Sequence, residues 1–117
     1  MVLLCMIFLH LVDDYKMQGI LAEMKQKGWW EKNCPDKKYS KDYMVALVEH
    51  GFMNSFMIHI PIYLFLNRDI ILIGLTMMVA TLAHAIIDDL KANKRRINLI
   101  QDQIFHIVTI FVLYFIY

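Results

Sequence analysis

No Walker phosphate loop, no Gly-x-Ser-x-Gly elbow and no Cys-x-x-Cys occurs in this chain. Those absences remove P-loop nucleotide hydrolysis, elbow-type serine chemistry and dithiol redox chemistry. Cysteine is scarce: Cys5 lies in an apolar block and Cys34 in a basic loop, so no disulfide is expected between them. The first apolar block has no basic segment ahead of Val2 and no small-residue cleavage site after Val12, which reads as a span rather than a removable secretory signal. Internal repeats and low-complexity tracts are missing too, and the formal net charge of +1 carries no message by itself.

Apolar sequence is what the chain has in quantity. At 117 residues it fits a single domain, residues 1–117, yet 59% of it is hydrophobic, above the roughly 45–50% of soluble domains. The excess is gathered into blocks: Met1 to Val12, Met44 to Leu66, Ile70 to Ile87 and Ile104 to Tyr117. Mostly apolar runs of about 18 or more residues can cross the hydrocarbon core as helices. The second and third blocks qualify alone. The fourth qualifies if its helix begins near Leu99, and the first only if its helix continues through Asp13 and Asp14 towards Lys27, where Gly28 would stop it. The predicted fold is an all-α integral membrane four-helix bundle, up-down-up-down, with Pro61 a candidate kink in the second span.

The basic residues orient this bundle. Lys25, Lys27, Lys32, Lys37, Lys38 and Lys41 lie in or beside the first loop, and Lys91, Lys94, Arg95 and Arg96 in or beside the third, while the turn between the second and third spans holds only Arg68. The positive-inside rule then puts both basic loops in the cytoplasm and both termini outside, a multi-pass topology suited to a bacterial inner membrane.

Three times the sequence pairs an imidazole with a carboxylate four residues away: His10 with Asp14, His84 with Asp88, and Asp102 with His106. That spacing stacks two side chains on one helix face. With His50 in the second span, all seven fall in the cytoplasmic half of their helices. Ionisable groups within a membrane face the bundle interior and pair, so a shared polar chamber is expected. Four imidazoles and three carboxylates exceed the needs of a single tetrahedral ion and suit one or two divalent transition metals, zinc first and manganese or iron as alternatives. Lys91 would neutralise an anionic substrate, and Gln18 and Gln103 would orient water or substrate. His59 reads as a packing histidine, Asp13, Glu49 and Asp89 as supporting or helix-end groups, and the methionines as bundle filler.

The order His10-x-x-x-Asp14-Tyr15-x-x-Gln18, His50, His84-x-x-x-Asp88-x-x-Lys91 and Asp102-Gln103-x-x-His106 resembles a family of small bacterial and phage membrane proteins catalogued as a domain of unknown function, number thirty-three oh seven. The likeness spans nearly the whole chain and lies in the spacing of its polar residues. That family is distantly similar to predicted membrane-bound metal-dependent hydrolases of the YdjM type, which implies hydrolase chemistry here. Asn54 departs from the pattern, since many members carry a second polar or histidine residue there, one turn after the second-span histidine.

The expected function is a membrane-embedded metal-dependent hydrolase acting at the cytoplasmic leaflet on a phosphoester or other anionic lipid-linked substrate. Membrane lipids are its expected partners and nucleic acid is not; a homo-oligomer is left open. Two alternatives stand beside it. One is a small channel or transporter relaying protons or divalent metal ions. The other is a phage-type membrane interaction protein whose polar cluster is structural.

Overall fold

The computed structural model describes residues 1–117 and is all helix. Helix α1 (Val2–Val12) is built from an apolar run and continues into a π-helical turn, Asp13–Met17, where Gln18 N–H reaches back five residues to Asp13 O. The wider turn has a consequence for the site: it helps consecutive residues, Asp13 and Asp14, both turn inwards, at 1% and 6% exposure. Gly19 then adopts φ +51, a left-handed conformation that ends the helix.

The expected single helix to Lys27 is therefore interrupted, and at Gly19 rather than Gly28. Two short helices follow, α2 (Leu21–Met24) and α3 (Lys27–Asn33), with extended backbone at Gln26 between them and Gly28 inside α3. A 3₁₀ turn at Lys37–Tyr39, capped by the Asp36 carboxylate, leads into α4 (Asp42–Leu66). Helix α4 passes through Pro61 and stops at Asn67 in the left-handed region. Asp69 caps α5 (Ile70–Ala92) by accepting from Ile71 N–H, and Asn98 with Gln101 forms a capping box that opens α6 (Leu99–Ile116).

Helix α4 packs along α5 as the main interface, α1 lies on α4, and α6 closes the bundle against α5 and α1. An apolar core of Met6, Ile58, Ile62, Ile73, Ala80, Ile110 and Leu113 fills one half. The two basic loops meet at the opposite end, where Lys27 N–H donates to Asn93 Oδ1 at 2.7 Å and Asn93 Nδ2 donates to Lys25 O at 3.0 Å.

Two helices, α5 and α6, are long and apolar enough to cross a membrane. At 23 and 18 residues they measure about 34 and 27 Å. The sequence led us to expect four. Helix α1 has 11 residues, only about 16 Å, and α4 is long enough but diluted by Glu49, His50, Asn54, Ser55 and His59. The distribution of polarity is inverted relative to a water-soluble fold: of 26 buried residues, fourteen are polar or charged, whereas Phe52, Phe56, Ile71, Val79, Ile100 and Phe115 are among many large apolar side chains left exposed.

A Cβ on Gly51 would stand 2.6 Å from the Thr81 carbonyl oxygen of α5, while one on Gly74 would meet nothing within 4 Å. Gly51→Ala is expected to cost about 1–3 kcal/mol by forcing α4 and α5 apart, and Gly74→Ala to cost nothing. Unfolding of the two purified variants in detergent tests this; equal stabilities would show that the close approach is not required.

Candidate metal centre

Each helix of the bundle brings polar groups to one level. From α1 and its π turn come His10, Asp13 and Asp14; from α4, His50 and Asn54; from α5, His84, Asp88 and Lys91; from α6, Asp102, Gln103 and His106. Four-residue spacing aligns each predicted pair on an inward face. All seven residues read from the sequence as metal ligands are buried, between 0% and 6% exposed, and converge on one cluster.

Its centre is a triangle of three atoms from three helices. Asp14 Oδ1 lies 3.2 Å from His50 Nε2 and 3.5 Å from His84 Nε2, and the two imidazole nitrogens are 3.1 Å apart. Ligands on a tetrahedral ion with bonds of about 2.0–2.1 Å stand about 3.3 Å from one another. The triangle thus has the edge lengths of one face of such a polyhedron. Asp88 Oδ2 lies 3.5 Å from His50 Nε2 but is engaged by Lys25 at 2.6 Å.

A second set adjoins the first through Asp88. His106 Nε2 lies 3.2 Å from Asp88 Oδ1 and 3.5 Å from Asp102 Oδ1, and its ring stacks on His84 with centroids 4.1 Å apart. Lysines hold the other oxygen of both carboxylates: Lys25 Nζ at 2.6 Å from Asp88 Oδ2, and Lys91 Nζ at 2.5 Å from Asp102 Oδ2.

Supporting groups fix these side chains. Asn54 Nδ2 donates to Asp13 Oδ2 at 3.0 Å and lies 3.0 Å from His10 Nδ1. Gln103 Nε2 donates to Asp14 Oδ2 at 3.1 Å and Asp102 Oδ2 at 3.2 Å, while its oxygen faces His10 Nε2 at 3.4 Å. Behind the triangle, His50 Nδ1 faces Asp13 Oδ2 at 3.9 Å; a carboxylate behind a ligating histidine is a recurrent way to orient the ring. His50 Nδ1 and Asp102 Oδ1 are buried without hydrogen-bond partners. Imidazole nitrogens and a carboxylate oxygen at these separations fit a divalent transition metal. A cavity of about 10 Å³ bounded by His10, Asn54, His84, His106 and Thr109 adjoins the cluster, roughly the room one water needs.

The three residues assigned to substrate chemistry fare differently. Gln103 sits in the cluster. Lys91 reaches it but is engaged by Asp102, so it is not a free cation. Gln18 turns back to donate to the Asp14 carbonyl of its own helix end and bonds no ligand side chain, because the π turn and the Gly19 break take it off the stripe it would occupy on a straight helix.

Sequence reasoning misses Lys25, which has the look of a loop charge; the Gly19 break carries α2 across the end of the bundle, burying Lys25 to 7% exposure. Asp89 pairs with Lys94 at 3.0 Å, in keeping with a helix-end role. His59 lies away from the centre, bonded to Ser55 O at 2.7 Å and close to Thr76 Oγ1 at 3.1 Å. Tyr117 joins Thr76 there, so His59, read from the sequence as a packing histidine, sits in a small polar knot at the far end.

Comparison with family models, with curated proteins and with solved structures finds no match. The site's chemistry is read from its own geometry.

Removing one member of the buried Lys25–Asp88 pair strands the other. In chelator-treated protein, Lys25→Met and Asp88→Leu are each expected to cost about 3–5 kcal/mol, and the double variant less than their sum by at least about 1 kcal/mol. A double-mutant cycle on unfolding midpoints checks this, with strict additivity the contrary result.

Proposed function

We propose that the chain is a multi-pass membrane protein carrying a metal-dependent hydrolase centre that acts at the cytoplasmic leaflet on an anionic phosphoester or lipid-linked substrate. The observation that carries the reading is the triangle of Asp14 Oδ1, His50 Nε2 and His84 Nε2, with edges of 3.1 to 3.5 Å.

The membrane part of the reading rests on the inverted polarity of the fold. Exposed Phe, Ile, Leu, Met and Val on α4, α5 and α6 would form an apolar surface far larger than water-soluble monomers tolerate, and lipid is its natural solvent. Charged groups meanwhile gather inside and pair, the arrangement a bilayer demands. Both basic loops lie at the end nearest the centre, so the positive-inside rule orients loops and centre together towards the cytoplasm.

A bound divalent ion would lower the pKa of a coordinated water towards neutrality and polarise a phosphoryl or carbonyl oxygen. The chain's own groups have separate tasks. Asp14, His50 and His84 would hold the ion, with the Asp13 carboxylate facing the far side of the His50 ring. His106, between Asp88 and Asp102, is placed to take up and return a proton. Gln103 orients the carboxylate of Asp14 and presents an amide to incoming polar groups, while the basic loop residues attract an anionic head group.

The channel alternative requires polar groups to continue along the bundle. Between the centre and His59 lie the buried hydroxyls of Ser55 and Thr81, both donating to the Met77 carbonyl, set among Ile58, Ala80 and Ile110; the eight-residue step from Thr76 to His84 amounts to about 12 Å. Those hydroxyls are spent on backbone carbonyls, as is that of Thr109, and no carboxylate or imidazole lies among them, which favours a closed chemical centre over a relay.

Protein purified from metal-replete cells is expected to hold a divalent transition metal, and His84→Ala combined with Asp14→Ala to lose both the metal and metal-dependent phosphoesterase activity. Metal-free wild-type protein would end this reading. Topology has its own check: a membrane-impermeant maleimide should label the free thiol of Cys34 in inverted vesicles and leave it unmodified in intact cells, and the reverse pattern would overturn the orientation.

A further inference from the structure

Four carboxylates, those of Asp13, Asp14, Asp88 and Asp102, are at most 6% exposed. Each is costly to bury as an anion without a partner. Two ammonium groups answer two of them, Lys25 on Asp88 at 2.6 Å and Lys91 on Asp102 at 2.5 Å. Asp13 and Asp14 are left without an ammonium partner, and of these it is Asp14 whose Oδ1 faces the two imidazole nitrogens of the triangle.

Geometry divides the cluster in the same way. In the triangle, Asp14 Oδ1 and the two imidazole nitrogens have no lysine beside them, and the polar neighbour Gln103 is on the other oxygen of Asp14. In the second set, Asp88 and Asp102 have each given one oxygen to a lysine, and their remaining oxygens face the same His106 nitrogen. With Lys25 and Lys91 in place both carboxylates of that set already have a cation at hydrogen-bond distance, so a second metal ion would have to displace an ammonium. Lys25 cannot drift away easily: its backbone carbonyl accepts from Asn93 Nδ2 at 3.0 Å, and the next turn is held by Lys27 N–H on Asn93 Oδ1. The left-handed turn at Gly19 is what carries this segment over the end of the bundle.

We propose that Lys25 and Lys91 are fixed counter-cations that hold the centre to a single divalent ion, seated on Asp14, His50 and His84, and keep Asp88, Asp102 and His106 metal-free. The proposal rests on the metal-centre reading above. In it, the second set of acids and imidazole is kept for proton exchange beside the ion, and the lysines act as residues that set metal number rather than as substrate contacts.

The test is metal stoichiometry. Full-length protein in detergent is equilibrated with excess manganese(II), freed of unbound ion and measured for manganese per chain, with electron paramagnetic resonance reporting whether ions lie within the roughly 3.5–4 Å of a coupled pair. Wild type is expected to saturate at a single uncoupled ion. Lys91→Met, whose side chain is the more exposed of the two, and separately Lys25→Met should admit a second, spin-coupled ion, while Lys91→Arg should stay at one.

A coupled pair in wild type would overturn the inference and leave the metal-centre reading standing. No ion at all would sink both. Folded lysine-to-methionine variants, judged by unchanged helicity and monodisperse elution, that still take up one ion would also overturn it. If Lys25→Met fails to fold, Lys91→Met decides alone.

Discussion

Everything in this bundle is arranged around the cost of placing ionisable groups where water is scarce. Asp13, Asp14, Asp88 and Asp102 are buried with four imidazoles and the Lys25 ammonium, and half-buried Lys91 reaches in to join them; no member of the set is tolerable alone. Such networks either satisfy nearly every member or destabilise the fold, which is why partners come from every helix of the bundle and from the segment that crosses its end. The irregular features serve the same end. A π turn presents two successive aspartates, a left-handed glycine returns Lys25 to Asp88, and Gly51 lets α4 and α5 approach so that His50 and His84 can meet.

From this constraint comes a division of labour along the bundle axis. One half carries the acid and imidazole cluster beneath the basic loops. The other is packed by Met6, Ile58, Ile62, Ile73 and Ile110, with the His59, Thr76 and Tyr117 knot tying α4, α5 and the chain end together. Apolar packing supplies rigidity on one side of the centre, and charge compensation supplies it on the other. A rigid, nearly dry donor set is what a metal needs to bind in one geometry.

Much of this was legible in the sequence because helices convert spacing into proximity. The pairs His10 and Asp14, His84 and Asp88, and Asp102 and His106 follow from four-residue steps alone, and His50 from its depth in an apolar run. What escaped depended on departures from regular helix. Lys25 looked like a loop charge because nothing in the local pattern says that the chain breaks at Gly19 and folds back. Gln18 looked aligned with Asp14 because a straight helix would align them. Two of four expected spans, α5 and α6, have the length and hydropathy of membrane crossings; the same polar residues that build the site lower the hydropathy of α4, and the break that delivers Lys25 shortens α1. The features that hid the architecture are the ones that form the centre.

The central claim is that Asp14, His50 and His84 present three lone pairs to one ion. X-ray absorption at the metal edge of zinc-loaded full-length protein tests it most directly. The account predicts a shell of nitrogen and oxygen at about 2.0–2.1 Å with outer scattering from two imidazoles. A sulfur shell near 2.3 Å, or a light-atom shell without imidazole scattering, would contradict it.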